Sequence, residues 1–85
     1  MEFMIEDERH SDLVGRFSSQ EEAIAELRRL ADVPWDEAPN RAPCTNWAKC
    51  GRSYEIVEYE TSHARPHEVT RSLMLEVSVG GVRWL

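Results

Sequence analysis

The sequence predicts an α+β fold in which one amphipathic helix packs on a face of an antiparallel sheet. Three observations support this prediction: one clear helix pattern, apolar–polar alternation on both sides of it, and a Gly-Gly pair typical of a β-hairpin. The predicted order of elements is ββα-loop-βββ. Because the helix and the strands are segregated rather than alternating, an antiparallel sheet is favoured over a parallel βαβ layout.

The first two predicted strands form a hairpin at the N-terminus. Residues 3–8 alternate, with Phe3 and Ile5 on one face, and residues 13–17 form the returning strand. The intervening polar residues 9–12 are typical of a turn, although they lack the Asn-Gly or Asp-Gly pair that marks the tightest hairpins.

The helix is predicted from its start signal, its apolar stripe and its stop signal. Ser18 and Ser19 offer N-cap hydroxyls, and Ser19 with Glu22 matches a capping box. Apolar residues then recur at helical spacing: Ala23, Ile24, Leu27, Leu30 and Ala31. Pro34 ends the helix near Asp32, because the residue before a proline disfavours helical backbone angles.

The remaining chain is predicted to contain two long loops and three strands. In order, these are a loop at about 33–52, a strand at 53–60, a loop at about 61–71, a strand at 73–79 and a strand at 82–85. Gly80-Gly81 joins the last two strands in a tight turn. Loops as long as the first are usually functional or mobile in compact domains.

The length and composition indicate one small domain, residues 1–85, of a folded class. A chain this short hides only about 60–65% of its unfolded surface, so a buried cofactor pocket beside the core is not expected. We therefore expect no cofactor. No stretch approaches the roughly 20 apolar residues of a membrane span, and the acidic N-terminus does not resemble a secretory signal. The expected location is cytoplasmic, where cysteines stay reduced.

The most distinctive segment is the basic loop, which we define as residues 38–54. These seventeen residues include no acidic side chain and carry a formal charge of +3, in a chain whose net charge is -6. Trp47 supplies a large apolar side chain, and Arg41, Lys49 and Arg52 supply charge. The sequence therefore favours a small non-catalytic protein-binding or regulatory module, with these four residues contacting a protein partner through a positive loop on an acidic body.

A metal site is one alternative. Cys44, Cys50, His63 and His67 have a spacing similar to that of a Cys2His2 zinc finger, apart from the five residues between the cysteines. However, a predicted strand of eight residues, roughly 26 Å long, separates the two pairs. The cysteines and these histidines should lie at opposite ends of the sheet, so no metal site is predicted from this set.

A thiol redox site at Cys44 and Cys50 is a second alternative. Positive charge from Arg41, Lys49 and Arg52 would favour the thiolate form. The more specific Cys-x-x-Cys motif near a βαβ unit is missing from the sequence. No nucleophile-elbow motif is present either, and an enzyme is not expected.

The predicted sheet offers surfaces for two further kinds of partner. Tyr54, Tyr59 and Trp47 could stack on single-stranded nucleic acid. However, Glu55, Glu58 and Glu60 share the strand of both tyrosines and would repel phosphates. Nucleic-acid binding is therefore disfavoured, as it is by the pI of about 5.0. Exposed sheet edges could pair with a second copy of the chain, which would make a homodimer.

Overall fold

The computed structural model describes residues 1–61, 65 and 67–85, with the side chain of Trp47 left outside the description. It confirms the predicted α+β class and the order of elements. The elements are β1 (Glu2–Asp7), β2 (Asp12–Phe17), α1 (Gln20–Ala31), a 3₁₀ helix (Trp47–Lys49), β3 (Gly51–Glu60), β4 (His67–Ser78) and β5 (Gly81–Trp84). In the described part of the chain, no helix is long and apolar enough to cross a membrane.

The five strands form a single antiparallel sheet in the order β2-β1-β3-β4-β5. Strand β3 is central, with β1 on one side and β4 on the other. The β1–β3 pairing sets Asp7, at the end of β1, opposite Tyr54, near the start of β3. Strands β2 and β5 are the two edges, and pairing of a second copy at either edge remains a prediction.

Helix α1 begins and ends as its sequence signals indicate. The Ser19 hydroxyl accepts a hydrogen bond from the Glu22 backbone N–H at 3.2 Å. The Glu22 carboxylate accepts from the Ser18 hydroxyl at 2.9 Å, so both serines take part in the start of the helix. The helix ends at Ala31 with Asp32 as its C-cap, two residues before Pro34.

One face of the sheet and one face of α1 enclose the core. Its fully or nearly fully buried residues are Ile5, Ala23, Leu27, Leu30, Tyr54, Ile56, Leu75 and Val77. The apolar stripe of the helix therefore faces the sheet, as its spacing predicts. Burying a leucine of this kind is worth about 1.5–3 kcal/mol relative to leaving it exposed.

The second predicted loop is shorter than expected, because β4 begins at His67 rather than near residue 73. Residues 62–64 and 66 of that predicted loop lie outside the described residues. The first part of β4 is polar and exposed on both faces, so it lacks the alternation that marks a half-buried strand. It is held by pairing along nearly all of β3, including cross-strand bonds from Arg71 to Glu55 and from Thr70 to Glu58.

The first predicted loop also ends two residues early, since β3 begins at Gly51. A side chain is excluded at this position, because a Cβ on Gly51 would lie 2.5 Å from the Val77 carbonyl oxygen. The loop is not without structure either, as the 3₁₀ helix lies just before β3. Cys44 and Cys50 flank that short helix.

Asn40 fastens the basic loop to both the helix and the sheet. Its side-chain N–H₂ donates to the carbonyl oxygens of Leu30 at 2.7 Å and Val33 at 2.9 Å, near the C-terminus of α1. Its side-chain oxygen accepts from the Tyr54 hydroxyl at 2.8 Å. Asn40 is only 1% exposed, so water does not replace these bonds if they are lost.

We expect Asn40→Ala to lower the free energy of unfolding by about 2–4 kcal/mol, because it removes three hydrogen bonds, two of them buried, and leaves the Tyr54 hydroxyl with its longer bond to the Pro39 carbonyl at 3.4 Å. The matched control is Asn46→Ala, on the same loop but exposed, with an expected change below about 0.5 kcal/mol. Urea unfolding monitored by circular dichroism measures both. Equal effects would show that Asn40 does not anchor the loop.

Burial raises the pKa of Tyr54 to about 12. The tyrosinate then forms more readily in the unfolded chain, whose tyrosines titrate near pH 10. The contribution of Tyr54 to stability is full below about pH 10 and is lost as the pH rises through about 12, at no more than about 1.4 kcal/mol per pH unit. Urea unfolding from about pH 9 to 11.5 should show this slope, and Tyr54→Phe should reduce it.

Candidate functional site

Three side chains with metal-binding or nucleophilic chemistry meet at one end of the sheet. The ligand atoms of His10, Cys44 and Cys50 all lie within 4.8 Å of one another. His10 Nε2 is 3.2 Å from the Cys50 sulfur. Each residue is partly buried, so the cluster lies below the surface but within reach of solvent.

The strand pairing explains how residues so distant in the chain meet. His10 lies in the turn after β1, and Cys50 directly precedes β3. Since β1 and β3 are antiparallel neighbours, the end of one strand lies beside the start of the other. A further backbone bond, from Glu8 N–H to the Ser53 carbonyl at 2.8 Å, extends this contact into the turn.

The buried carboxylate of Asp7 orients the imidazole ring of His10. This carboxylate accepts a hydrogen bond from His10 Nδ1 at 2.5 Å and is itself 0% exposed. The same carboxylate accepts from the backbone N–H groups of Ser53 at 3.0 Å and Arg9 at 3.1 Å. With the Nδ1 proton held by Asp7, the Nε2 lone pair of a neutral His10 points toward Cys50.

Arg52 ties the basic loop to this carboxylate. Its Nη1 donates to Asp7 at 3.1 Å and to Asp12 at 2.8 Å, and its Nη2 donates to the Arg41 carbonyl at 3.0 Å. The Arg52 Nε is buried without a partner among the described atoms. The pKa of Arg52 is raised by its bonds to Asp12 and Asp7 even though burial opposes its charge.

The hydrogen bonds within the cluster change the pKa values of its members. The bond to Asp7 raises the pKa of His10, with a smaller contribution from Cys50. The hydrogen bonds that Cys50 shares with Cys44 and, to a smaller extent, with His10 lower the pKa of the Cys50 thiol, whereas the bond with Cys50 raises the pKa of the Cys44 thiol. The two cysteines are therefore inequivalent, and Cys50 is the more readily ionised.

The four predicted partner-binding residues fall in different environments. Arg41 and Lys49 are exposed on the basic loop. Arg52, expected on the same loop, lies instead in β3, is 8% exposed and is bonded to Asp7 and Asp12. Trp47 belongs to the 3₁₀ helix, but its side chain lies outside the description. A protein-binding role for these residues stays a prediction.

The fold brings the two cysteines of the zinc-finger-like spacing together but places His67 away from them. Cys44 and Cys50 come together at the start of β3, whereas His67 pairs with Glu60 at its far end. His63 lies outside the described residues. The prediction that His67 does not share a site with the cysteines therefore agrees with the register of β3 and β4, but the cysteines meet a different histidine.

His10 and Asp7 are the site residues that sequence reasoning missed. Their signal in the sequence is an Asp-x-x-His stretch at the end of the first predicted strand, which serves equally well as an ordinary turn. The turn lies beside Cys50 because β1 pairs with β3, and the order of elements along the chain does not specify that pairing. That pairing places His10 and the two cysteines at the same end of the sheet.

The cluster has the donor atoms of a soft or borderline metal ion. One imidazole nitrogen and two sulfurs suit Zn²⁺ and related ions, whereas Ca²⁺ and Mg²⁺ prefer oxygen ligands. A carboxylate on the far ring nitrogen of a ligating histidine is a recurring outer partner in zinc sites. The residues present therefore fit such an ion.

Comparison of the chain with protein-family models, curated proteins and solved structures finds no significant match.

We expect Asp7→Asn to destabilise the fold much more than Asp12→Asn, although both carboxylates bind the same Arg52 nitrogen. Asp7 is fully buried, so its loss leaves Arg52 short of compensating charge, at a cost of about 3 kcal/mol or more. The Asp12 side chain is 47% exposed, and we expect its loss to cost less than about 1 kcal/mol. Urea unfolding distinguishes the two, and similar losses would contradict the assigned role of Asp7.

Proposed function

We propose that this protein binds a thiophilic divalent cation, represented by Zn²⁺, through His10, Cys44 and Cys50. The observation that carries the proposal is the convergence of their three ligand atoms within 4.8 Å. Zinc sites with two cysteines and one histidine keep a fourth position for water or a substrate atom. In the described residues, no fourth histidine, cysteine or carboxylate completes the group.

The spacing within the cluster is close to that of a metal-bound state. With Zn–N and Zn–S distances of about 2.0 and 2.3 Å, neighbouring tetrahedral ligands lie roughly 3.5–3.8 Å apart. The His10–Cys50 separation of 3.2 Å then needs to widen by a few tenths of an ångström. The remaining separations, none above 4.8 Å, need to close by about 1 Å at most.

Three features favour binding of the cation. Asp7 holds the imidazole in one orientation and one tautomer, which lowers the entropy lost when His10 binds a metal. Two thiolates neutralise a divalent ion, so the loaded site carries no net ionic charge in a partly buried position. The expected cytoplasmic location would keep both thiols reduced and able to bind.

The protein-binding role predicted for the basic loop is compatible with this proposal. Arg41 precedes Cys44 by three residues, Lys49 lies directly before Cys50, and both are exposed. Binding of a metal to Cys44 and Cys50 would restrict the conformations of the segment between them. A protein partner would then lose less conformational entropy on binding this segment. Metal binding takes precedence here because the geometry of His10, Cys44 and Cys50 supports it, whereas the protein partner is inferred from composition alone.

We expect the reduced protein to bind one Zn²⁺ per chain, measured by competition with a chromophoric chelator and by native mass spectrometry. Cobalt substitution should give thiolate-to-metal charge transfer in the near ultraviolet and visible bands of a tetrahedral site. Zinc should also raise the urea midpoint of unfolding. At a free zinc concentration 1,000 times the dissociation constant, the free energy of unfolding should rise by about 4 kcal/mol.

Single substitutions should identify the ligands. We expect Cys44→Ser, Cys50→Ser and His10→Gln each to weaken zinc binding at least about 10- to 100-fold, the loss typical even of outer-shell changes. His67→Gln, at the far end of β3, is the matched histidine control and should bind like the parent. Circular dichroism of each metal-free variant checks its fold. No zinc retention, or equal losses for His67→Gln and His10→Gln, would refute the site.

A further inference from the structure

Beyond metal binding itself, the two sulfurs of the cluster are placed for a second reaction. The Cys44 and Cys50 sulfurs lie no more than 4.8 Å apart, and both thiols are free. A disulfide needs the sulfurs to approach to about 2.05 Å. A shift of the loop by a few ångströms joins them, without any change in the sheet.

The fold determines which side of the pair can make that shift. Cys50 directly precedes Gly51, whose backbone is paired with Ser78 and packed too tightly for a side chain. Cys44 lies in the middle of the loop, and its neighbours Pro43 and Thr45 are exposed. Cys44 therefore approaches Cys50, and a small oxidant reaches the pair from the solvent side.

We propose that a hydroperoxide oxidises Cys44 and Cys50 to a disulfide and thereby releases the bound metal ion. This inference rests on the proposed metal site, which it makes redox-regulated. The disulfide takes away both thiolates, so only the imidazole of His10 remains as a ligand. A single neutral nitrogen does not retain Zn²⁺ against solvent or cellular chelators.

The reaction balances in two steps. One thiolate sulfur attacks a peroxide oxygen, the O–O bond breaks, and a sulfenic acid and hydroxide form, with hydroxide protonated to water. The other thiolate attacks the sulfenic sulfur, the S–S bond forms, and hydroxide leaves and is protonated. Two electrons pass from sulfur to oxygen. Overall, two thiolates, one hydrogen peroxide and two protons give one disulfide and two waters, and the cation departs.

The test uses the full chain loaded with one equivalent of Zn²⁺ and treated with hydrogen peroxide in the presence of a chromophoric chelator. We expect zinc release together with a mass lower by two hydrogen atoms than that of the reduced metal-free chain. Dithiothreitol should restore the original mass and zinc binding. The oxidised protein should bind zinc at least about 100-fold more weakly than the reduced protein.

His10→Gln is the variant that separates the thiol reaction from the metal. It keeps both cysteines, so peroxide should still form the disulfide even where zinc binding is weak. Cys44→Ser should instead give no intramolecular disulfide and should accumulate oxygen on Cys50. Both variants are compared with the parent by intact mass after the same exposure.

The outcomes distinguish this inference from the proposed function. If the reduced protein binds no zinc, the metal site itself is refuted. If zinc binds and peroxide neither releases it nor lowers the mass, the metal site stands and the redox regulation is refuted. Release accompanied by added oxygen atoms, with no recovery in dithiothreitol, also overturns the inference, because it reports irreversible damage instead of a disulfide.

Discussion

The buried carboxylate of Asp7 is the group on which both the fold and the site depend. It accepts hydrogen bonds from two backbone N–H groups, from the Arg52 guanidinium and from His10. A fully buried carboxylate is tolerated only when it is paired and its oxygens are bonded, and Asp7 meets both conditions. These bonds join the end of β1, the following turn and the start of β3 at one point.

A consequence of this arrangement is that stability and site geometry share the same atoms. Arg52 carries the constraint onward, since it also holds the carbonyl of Arg41 and so fixes the entry to the segment that contains Cys44. Asn40 fixes the same segment to the end of α1. The loop is long, but polar bonds hold it at Asn40 and Arg41, before Cys44, and the β3–β4 pairing holds it at Gly51, after Cys50.

The sequence was most informative where the interactions are local. The capping serine Ser19 and the apolar stripe act within a few residues, and α1 lies where they predict. The glycine pair marks the β4–β5 hairpin, although the turn itself is Val79-Gly80 and β5 begins at Gly81, one residue earlier than predicted. The sequence was less informative about features that depend on contacts between residues far apart in the chain. The mostly polar residues 67–71 form a strand through pairing with β3, and buried Arg52 is bonded to Asp7, which the β1–β3 pairing brings to within 3.1 Å. The meeting of His10 with the cysteines depends on the same long-range pairing.

The division between core and cluster explains how a small domain can hold a reactive site. The apolar core lies between α1 and the sheet, and its members are separate from His10, Cys44 and Cys50. The cluster lies at the sheet end, where the strands no longer need continuous pairing and loops supply the side chains. The proposed exchange of the thiols between free, metal-bound and disulfide states would therefore require movement of the loop but not of the core. The rigid parts of the site, Asp7 and His10, belong to the sheet end, and the adaptable part, Cys44, belongs to the loop.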